Sequence, residues 1–101
     1  MEKIKVAFVK FAPKARKLYL FEMPFESYLE EGETIIVPDA DGNETEAVVV
    51  DTEKYEQRYS HEWEDFNRLL GVAGVELPLR KVLGKVSRKY FDYTGENEDD
   101  E

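Results

Sequence analysis

The chain has 101 residues, with 14 Lys and Arg against 23 Asp and Glu, and it contains no cysteine. That length fits one domain, and the lack of cysteine excludes disulfides and thiolate metal sites. Lysines interrupt every apolar run near the N-terminus, and no segment approaches the roughly 20 apolar residues of a membrane helix. These features predict a soluble, cytoplasmic protein without a membrane partner.

Charge is distributed unevenly along the chain. Residues 1–20 carry six cations and one anion, and residues 77–90 carry five cations and no anion. Between them, residues 21–76 carry sixteen acids and three cations, and residues 91–101 carry six acids. One interpretation is internal charge pairing that also keeps the protein soluble. The other is a basic stripe, formed if the two basic segments pair as neighbouring strands.

Four segments in the first half show the alternation and β-branched or aromatic content typical of strands. The first pair is joined by a five-residue loop around Pro13, and the second pair by the sequence DADGN. Asp, Asn and Gly tolerate the left-handed backbone of a tight turn, so this second hairpin is predicted most directly. The predicted strands are residues 3–11, 17–23, 33–38 and 44–52.

The second half predicts one helix and one further element. Residues 59–72 place Trp63, Phe66, Leu69 and Leu70 at helical spacing, with Ser60 as the predicted N-cap. Residues 80–91 fit either a strand or a helix, and the glycine and valines favour a closing strand.

The resulting order is ββ–ββ–α–β, which predicts a mainly β (α+β) domain over residues 1–93. Two architectures fit it: a small five-stranded SH3-like or OB-like barrel, or a curled antiparallel sheet with one helix over 59–72. Residues 94–101, TGENEDDE, have no apolar side chain, so they predict a disordered acidic tail.

Residues 19–51 contain Tyr28-Leu29, two acids, Gly32, the strand Ile35 to Pro38 and the strand Ala47 to Val50. This skeleton resembles the small barrel at the N-terminus of the primosomal replication-restart helicase. It also resembles small uncharacterised SH3-like barrel proteins of phages and prophages of Gram-positive bacteria. The resemblance implies a small barrel, a phage or mobile-element context and, from the helicase, contact with DNA at forks. It transfers no individual binding residue.

Catalytic and metal-binding patterns are weak. DADGN places Gly42 at the fourth position of a calcium loop rather than the sixth, which favours a plain polar hairpin. His61 is the only histidine, and no serine lies in a nucleophile motif with a base. We therefore predict a protein that is not an enzyme and needs no metal or cofactor.

The interleaving of cations with aromatic residues is the strongest sign of a binding surface, since small barrels hold single strands with cationic grooves and stacked rings. The candidate nucleic-acid-binding residues are Lys81, Lys85, Arg88, Lys89, Tyr90, Lys3, Lys5 and Tyr19.

Three functions fit these features of the sequence. The first is a small non-catalytic interaction module that binds a protein partner. The second is an accessory nucleic-acid-binding module of replication or recombination, which predicts that the two basic segments meet on one face. The third is an acidic inhibitor whose surface imitates nucleic acid. The sequence gives neither the partner nor the oligomeric state.

Overall fold

A computed structural model describes residues 2–86 of the chain. Five strands and one helix follow in the order β1 (Lys3–Lys10), β2 (Tyr19–Met23), β3 (Thr34–Pro38), β4 (Glu44–Glu56), α1 (Ser60–Ala73) and β5 (Gly84–Lys85). The mainly β architecture with one helix is therefore confirmed. The predicted tail, 94–101, lies outside the described residues.

The strands form one antiparallel sheet in the order β2-β1-β4-β3-β5. The β1–β4 register shifts between Phe8 and Val9, which face Asp51 and Val49, so Val50 is an extra residue on β4. Such a bulge bends its strand and increases the local twist. The bulge curls the sheet, which therefore has the predicted form of a curled antiparallel sheet with one helix.

Within residues 2–86, the sheet does not close into a barrel. Glu22 on β2 is bridged to the segment after α1, where its N–H donates to the Arg80 carbonyl at 2.8 Å and its carbonyl accepts from Val82 at 2.9 Å. The same segment then joins β3, through Leu83 N–H to Ile36 O at 2.8 Å. The predicted closing strand over 80–91 is thus wrong in length within residues 2–86. Residues 80–82 bond to β2, the next residues bond to β3, and only Gly84–Lys85 forms a strand. Residues 87–91 lie outside the description.

The predicted helix is confirmed with a shift of one residue, but its N-cap differs. Tyr59 holds the N-cap position without a side-chain hydrogen bond, and Gly74 ends the helix with a φ of 70°. The Glu62 carboxylate accepts a hydrogen bond from Glu56 N–H at 3.0 Å, which ties the first helical turn to the end of β4. β4 itself runs four residues beyond the predicted 52, because it pairs with β1 as far as Lys3 opposite Glu56.

β1 is buried on both faces and separates two apolar cores. On one face, Ala7 and Val9 pack with Phe21. On the other face, Ile4 and Val6 pack under α1 against Phe66 and Leu70. We call these the inner core and the outer core. The full buried membership of the inner core is Ala7, Val9, Phe21, Met23, Leu29, Ile35, Val37, Ala47 and Val49.

Candidate binding surface

The inner face of the sheet changes from apolar to basic toward the start of β1. Lys5 and Lys3 continue the face that Ala7 and Val9 begin, since alternate residues of a strand share a face. Lys54 on β4 lies directly opposite Lys5. Three lysines on two neighbouring strands therefore converge at one end of the inner core, where like charges facing each other destabilise a sheet.

Lys5 is the most buried of the three, with 7% of its surface exposed. Its ammonium donates a hydrogen bond to the Ser27 carbonyl and lies 5.9 Å from the centre of the Tyr28 ring. Burial lowers the pKa of Lys5 below its ordinary value of 10.5, and the charge of Lys54 lowers it further, while Glu26 opposes them. Lys5 thus fixes the loop after β2 to the sheet and places an ammonium group beside that loop.

That loop supplies two aromatic rings to the same place. Leu29 anchors it in the inner core, and the Ser27 amide and hydroxyl both donate to the Pro24 carbonyl, at 3.0 and 2.7 Å. The Phe25 ring lies 4.8 Å from the Lys3 ammonium and 4.7 Å from the Lys54 ammonium. Such distances allow cation–π attraction, which holds the ring between lysines from two strands.

Lys81, from the basic segment 77–90, also lies near Lys3 and Lys5. A groove of about 290 Å³ is lined by Lys3, Lys5, Phe25 and Lys81, together with Glu22 as its acidic residue. We call Lys3, Lys5, Lys54, Lys81, Phe25 and Tyr28 the lysine–aromatic surface. It combines residues from β1, β4, the loop after β2 and the segment after α1.

The lysines of this surface have no carboxylate partner in the described chain. Within residues 2–86, ammonium or guanidinium groups lie within 4 Å of a carboxylate in three pairs, Arg58–Glu56, Arg68–Asp65 and Lys85–Glu33. Glu56 faces Lys3 across the strands, but its carboxylate binds Arg58 at 2.8 Å. The cations of the surface thus contact aromatic rings and the Ser27 carbonyl, and Glu26 acts on Lys5 from beyond 4 Å.

The other predicted binding residues have different positions. Lys85 lies 3.4 Å from the Glu33 carboxylate, in an adjacent groove that Tyr28 also lines. Tyr19 lies at the far end of the β1–β2 pair, opposite Val9, where its ring packs 4.8 Å from that of Phe11. Arg88, Lys89 and Tyr90 lie outside the described residues.

Lys54, Phe25 and Tyr28 are not among the binding residues that the sequence predicts. Lys54 falls in the acidic middle of the sequence, and its role depends on β4 extending far enough to face Lys5. The available signal was limited to Thr52 and Tyr55, residue types that favour strands. Phe25 and Tyr28 follow Pro24 in an irregular loop, for which periodicity gives no orientation.

The candidate calcium loop is occupied by its own backbone. The Asp39 carboxylate accepts hydrogen bonds from the N–H groups of Asp41 and Asn43, both at 2.9 Å, and Gly42 has a φ of 86°. This is the side-chain-to-backbone bonding of a tight turn. Within residues 2–86, no three His, Asp or Glu side chains are arranged to hold a metal ion.

Nothing helical in residues 2–86 has the length and apolar character needed to span a bilayer. Comparisons with known protein families, with curated proteins and with solved structures gave no match. The resemblance to the helicase barrel and to phage proteins stays an expectation from the sequence.

Proposed function

We propose that this chain is a small non-catalytic interaction module that binds an acidic, extended segment of a partner protein at the lysine–aromatic surface. The observation that carries the proposal is the placement of Lys3, Lys5 and Lys54 on one face without a carboxylate partner in the described chain. Opposed like charges lower stability. A ligand that supplies negative charge offsets this cost.

The aromatic rings make the surface suited to a peptide. Phe25 is partly exposed and Tyr28 is 66% exposed, so both offer apolar contact beside the cations. Aromatic residues with a cationic rim are typical of the parts of protein interfaces that contribute most binding energy. The adjacent groove of about 290 Å³, between Tyr28 and Leu83, offers room for an apolar side chain of the partner.

Nucleic acid is the second candidate, and the exposed ring of Tyr28 beside Lys5 favours it, because bases stack on such rings. The small number of lysines and the adjacent groove favour the peptide. Phosphate-driven affinity grows with the number of cations that neutralise phosphates, and this surface has four lysines. The apolar groove beside Tyr28 has room for an aliphatic side chain, which nucleic acid lacks. One of the four lysines, Lys5, is also already bound to Ser27.

The test is a selection of random peptides displayed on phage against the purified full chain. We expect the enriched peptides to combine Asp or Glu with an aromatic or aliphatic residue. Fluorescence anisotropy should then show affinity that weakens as salt rises from about 50 to about 200 mM, since exposed charge contacts are screened.

Two variants with the same change in charge locate the site. Lys3→Glu, Lys54→Glu and Lys81→Glu together should weaken peptide binding about tenfold or more, the sum of several exposed charge contacts. The matched control changes Lys14, Arg16 and Lys17, at the opposite end of the sheet, to Glu. This variant should retain peptide binding. Equal affinity in the two variants, or enriched peptides without acids, contradicts the proposal. Salt-sensitive binding of labelled oligothymidylate that only the first variant loses favours the nucleic-acid function instead.

A further inference from the structure

The lysine–aromatic surface has a candidate ligand within its own chain. Residues 91–101 carry six carboxylates and no cation. Lys3, Lys54 and Lys81 are cations without a carboxylate within 4 Å in residues 2–86. The charge of the C-terminal segment and the charge of the surface are therefore complementary.

The position at which the described chain ends brings this segment close. The last described residue, Val86, donates its N–H to the Thr34 carbonyl at 2.9 Å, beside the Lys85–Glu33 ion pair. Lys85 lines the groove that also contains Tyr28 and Pro24. Pro24, Met23 and Val82 belong both to that groove and to the one lined by Lys3 and Lys81.

The remaining length of chain is sufficient for contact. Ser87 to Tyr93 separate Val86 from the most acidic stretch, residues 94–101. Seven extended residues span up to ~25 Å, which exceeds the roughly 15 Å of the three strand spacings between β5 and β1. Because the segment is tethered, its effective concentration at the surface is in the millimolar range, on the order expected for short linkers.

We propose that the acidic segment 91–101 binds the lysine–aromatic surface of its own chain and competes there with an external acidic ligand. The contact with the surface requires no partner, whereas its competitive role rests on the proposed function. A partner must displace the segment, so its apparent affinity is lower than the intrinsic affinity of the surface.

Paramagnetic relaxation enhancement tests the contact directly in the full chain. The protein has no cysteine, so Glu101→Cys provides a single site for a nitroxide label. We expect selective signal loss for the amides of Lys3, Phe25, Lys54 and Lys81, with little loss for residues 10–17 at the other end of the sheet. The selective loss should disappear as salt rises from about 50 to about 500 mM, because the contacts are between exposed charges.

The matched variants serve as controls in this experiment as well. Charge reversal to Glu at Lys3, Lys54 and Lys81 should abolish the selective signal loss. The same charge reversal at Lys14, Arg16 and Lys17 should leave the signal loss unchanged. The labelled protein with an unchanged lysine–aromatic surface can overturn the proposal by itself. It does so if the signal loss is absent, is uniform along the chain or does not respond to salt.

A third variant separates this proposal from the proposed function. It neutralises the side chains of the segment by changing Glu96, Glu98 and Glu101 to Gln and Asp92, Asp99 and Asp100 to Asn. Competition predicts that a selected acidic peptide binds this variant several-fold more tightly than the unsubstituted chain. Unchanged peptide affinity overturns the competition and leaves the binding function standing. Selective signal loss with no peptide bound by any variant overturns the binding function and leaves the intrachain contact standing.

Discussion

The outer and inner faces of β1 are both apolar in the middle of the strand, but they differ toward its start. On the outer face, Ile4 continues the apolar core under α1, where Phe66 packs 5.2 Å from Tyr55 and 5.1 Å from Trp63. On the inner face, the equivalent positions are Lys3 and Lys5. The outer end is thus stabilised by packing, whereas the inner end places like charges side by side, which lowers stability.

The outer core should show the largest effect of a single substitution. Phe66→Ala removes a ring with no exposed surface and leaves a cavity between α1 and the sheet. We expect a loss of about 3–5 kcal/mol in the free energy of unfolding, as for other fully buried aromatic residues. Urea denaturation followed by the fluorescence of the single tryptophan, Trp63, measures it. A loss below about 1 kcal/mol would mean that the helix contributes little to the fold.

The inner end should respond differently to the apolar substitution Lys5→Met. The substitution retains most of the buried stem and removes both the desolvated charge and its repulsion with Lys54. It also removes the bond to Ser27. These opposing changes should leave stability near neutral pH within about 1 kcal/mol of the unsubstituted protein, because a typical hydrogen bond contributes about that amount. A loss of several kcal/mol would show that Lys5 is a structural residue only.

The difference in unfolding free energy between the unsubstituted protein and Lys5→Met should depend on pH with a defined sign. The pKa of Lys5 is lowered in the folded state, so between that pKa and 10.5 the unfolded chain binds more protons than the folded one. Stability relative to Lys5→Met therefore rises with pH in that window and levels off above 10.5. Denaturation series at several alkaline pH values measure the difference, and a falling difference contradicts the assignment.

On the outer face, Tyr55 should give the smallest effect and the opposite sign. Burial, then Glu53, Asp65 and Asp51, raise the pKa of Tyr55 above its ordinary value of 10.0. The folded state thus retains the phenol proton longer, and stability relative to Tyr55→Phe falls as pH rises above 10.0. At neutral pH the two proteins should be nearly equal, since no hydrogen bond from the Tyr55 hydroxyl is present in residues 2–86. Absorbance titration of the phenol provides an independent check.

Local patterns predicted most of the fold, whereas the candidate site depends on register. Strand alternation located β1 to β3, and helical spacing located α1 to within one residue. The pattern did not predict that residues 80–86 would divide between β2 and β3, because pairing partners are set by the curl of the whole sheet. For the same reason Lys54 was assigned to the acidic middle of the sequence, since only its register opposite Lys5 makes it part of a basic surface.

The segment after α1 fastens two edges of the open sheet with few bonds. It binds β2 at Glu22 and β3 at Ile36 and Thr34, so its detachment would uncover backbone donors and acceptors on both edges at once. In hydrogen exchange, the amides of Val82, Leu83 and Val86 should then share one opening free energy, below that of the two cores. Exposed strand edges promote association between chains. Protection of both edges against association thus depends on residues 80–86 rather than on the strands that these residues cover.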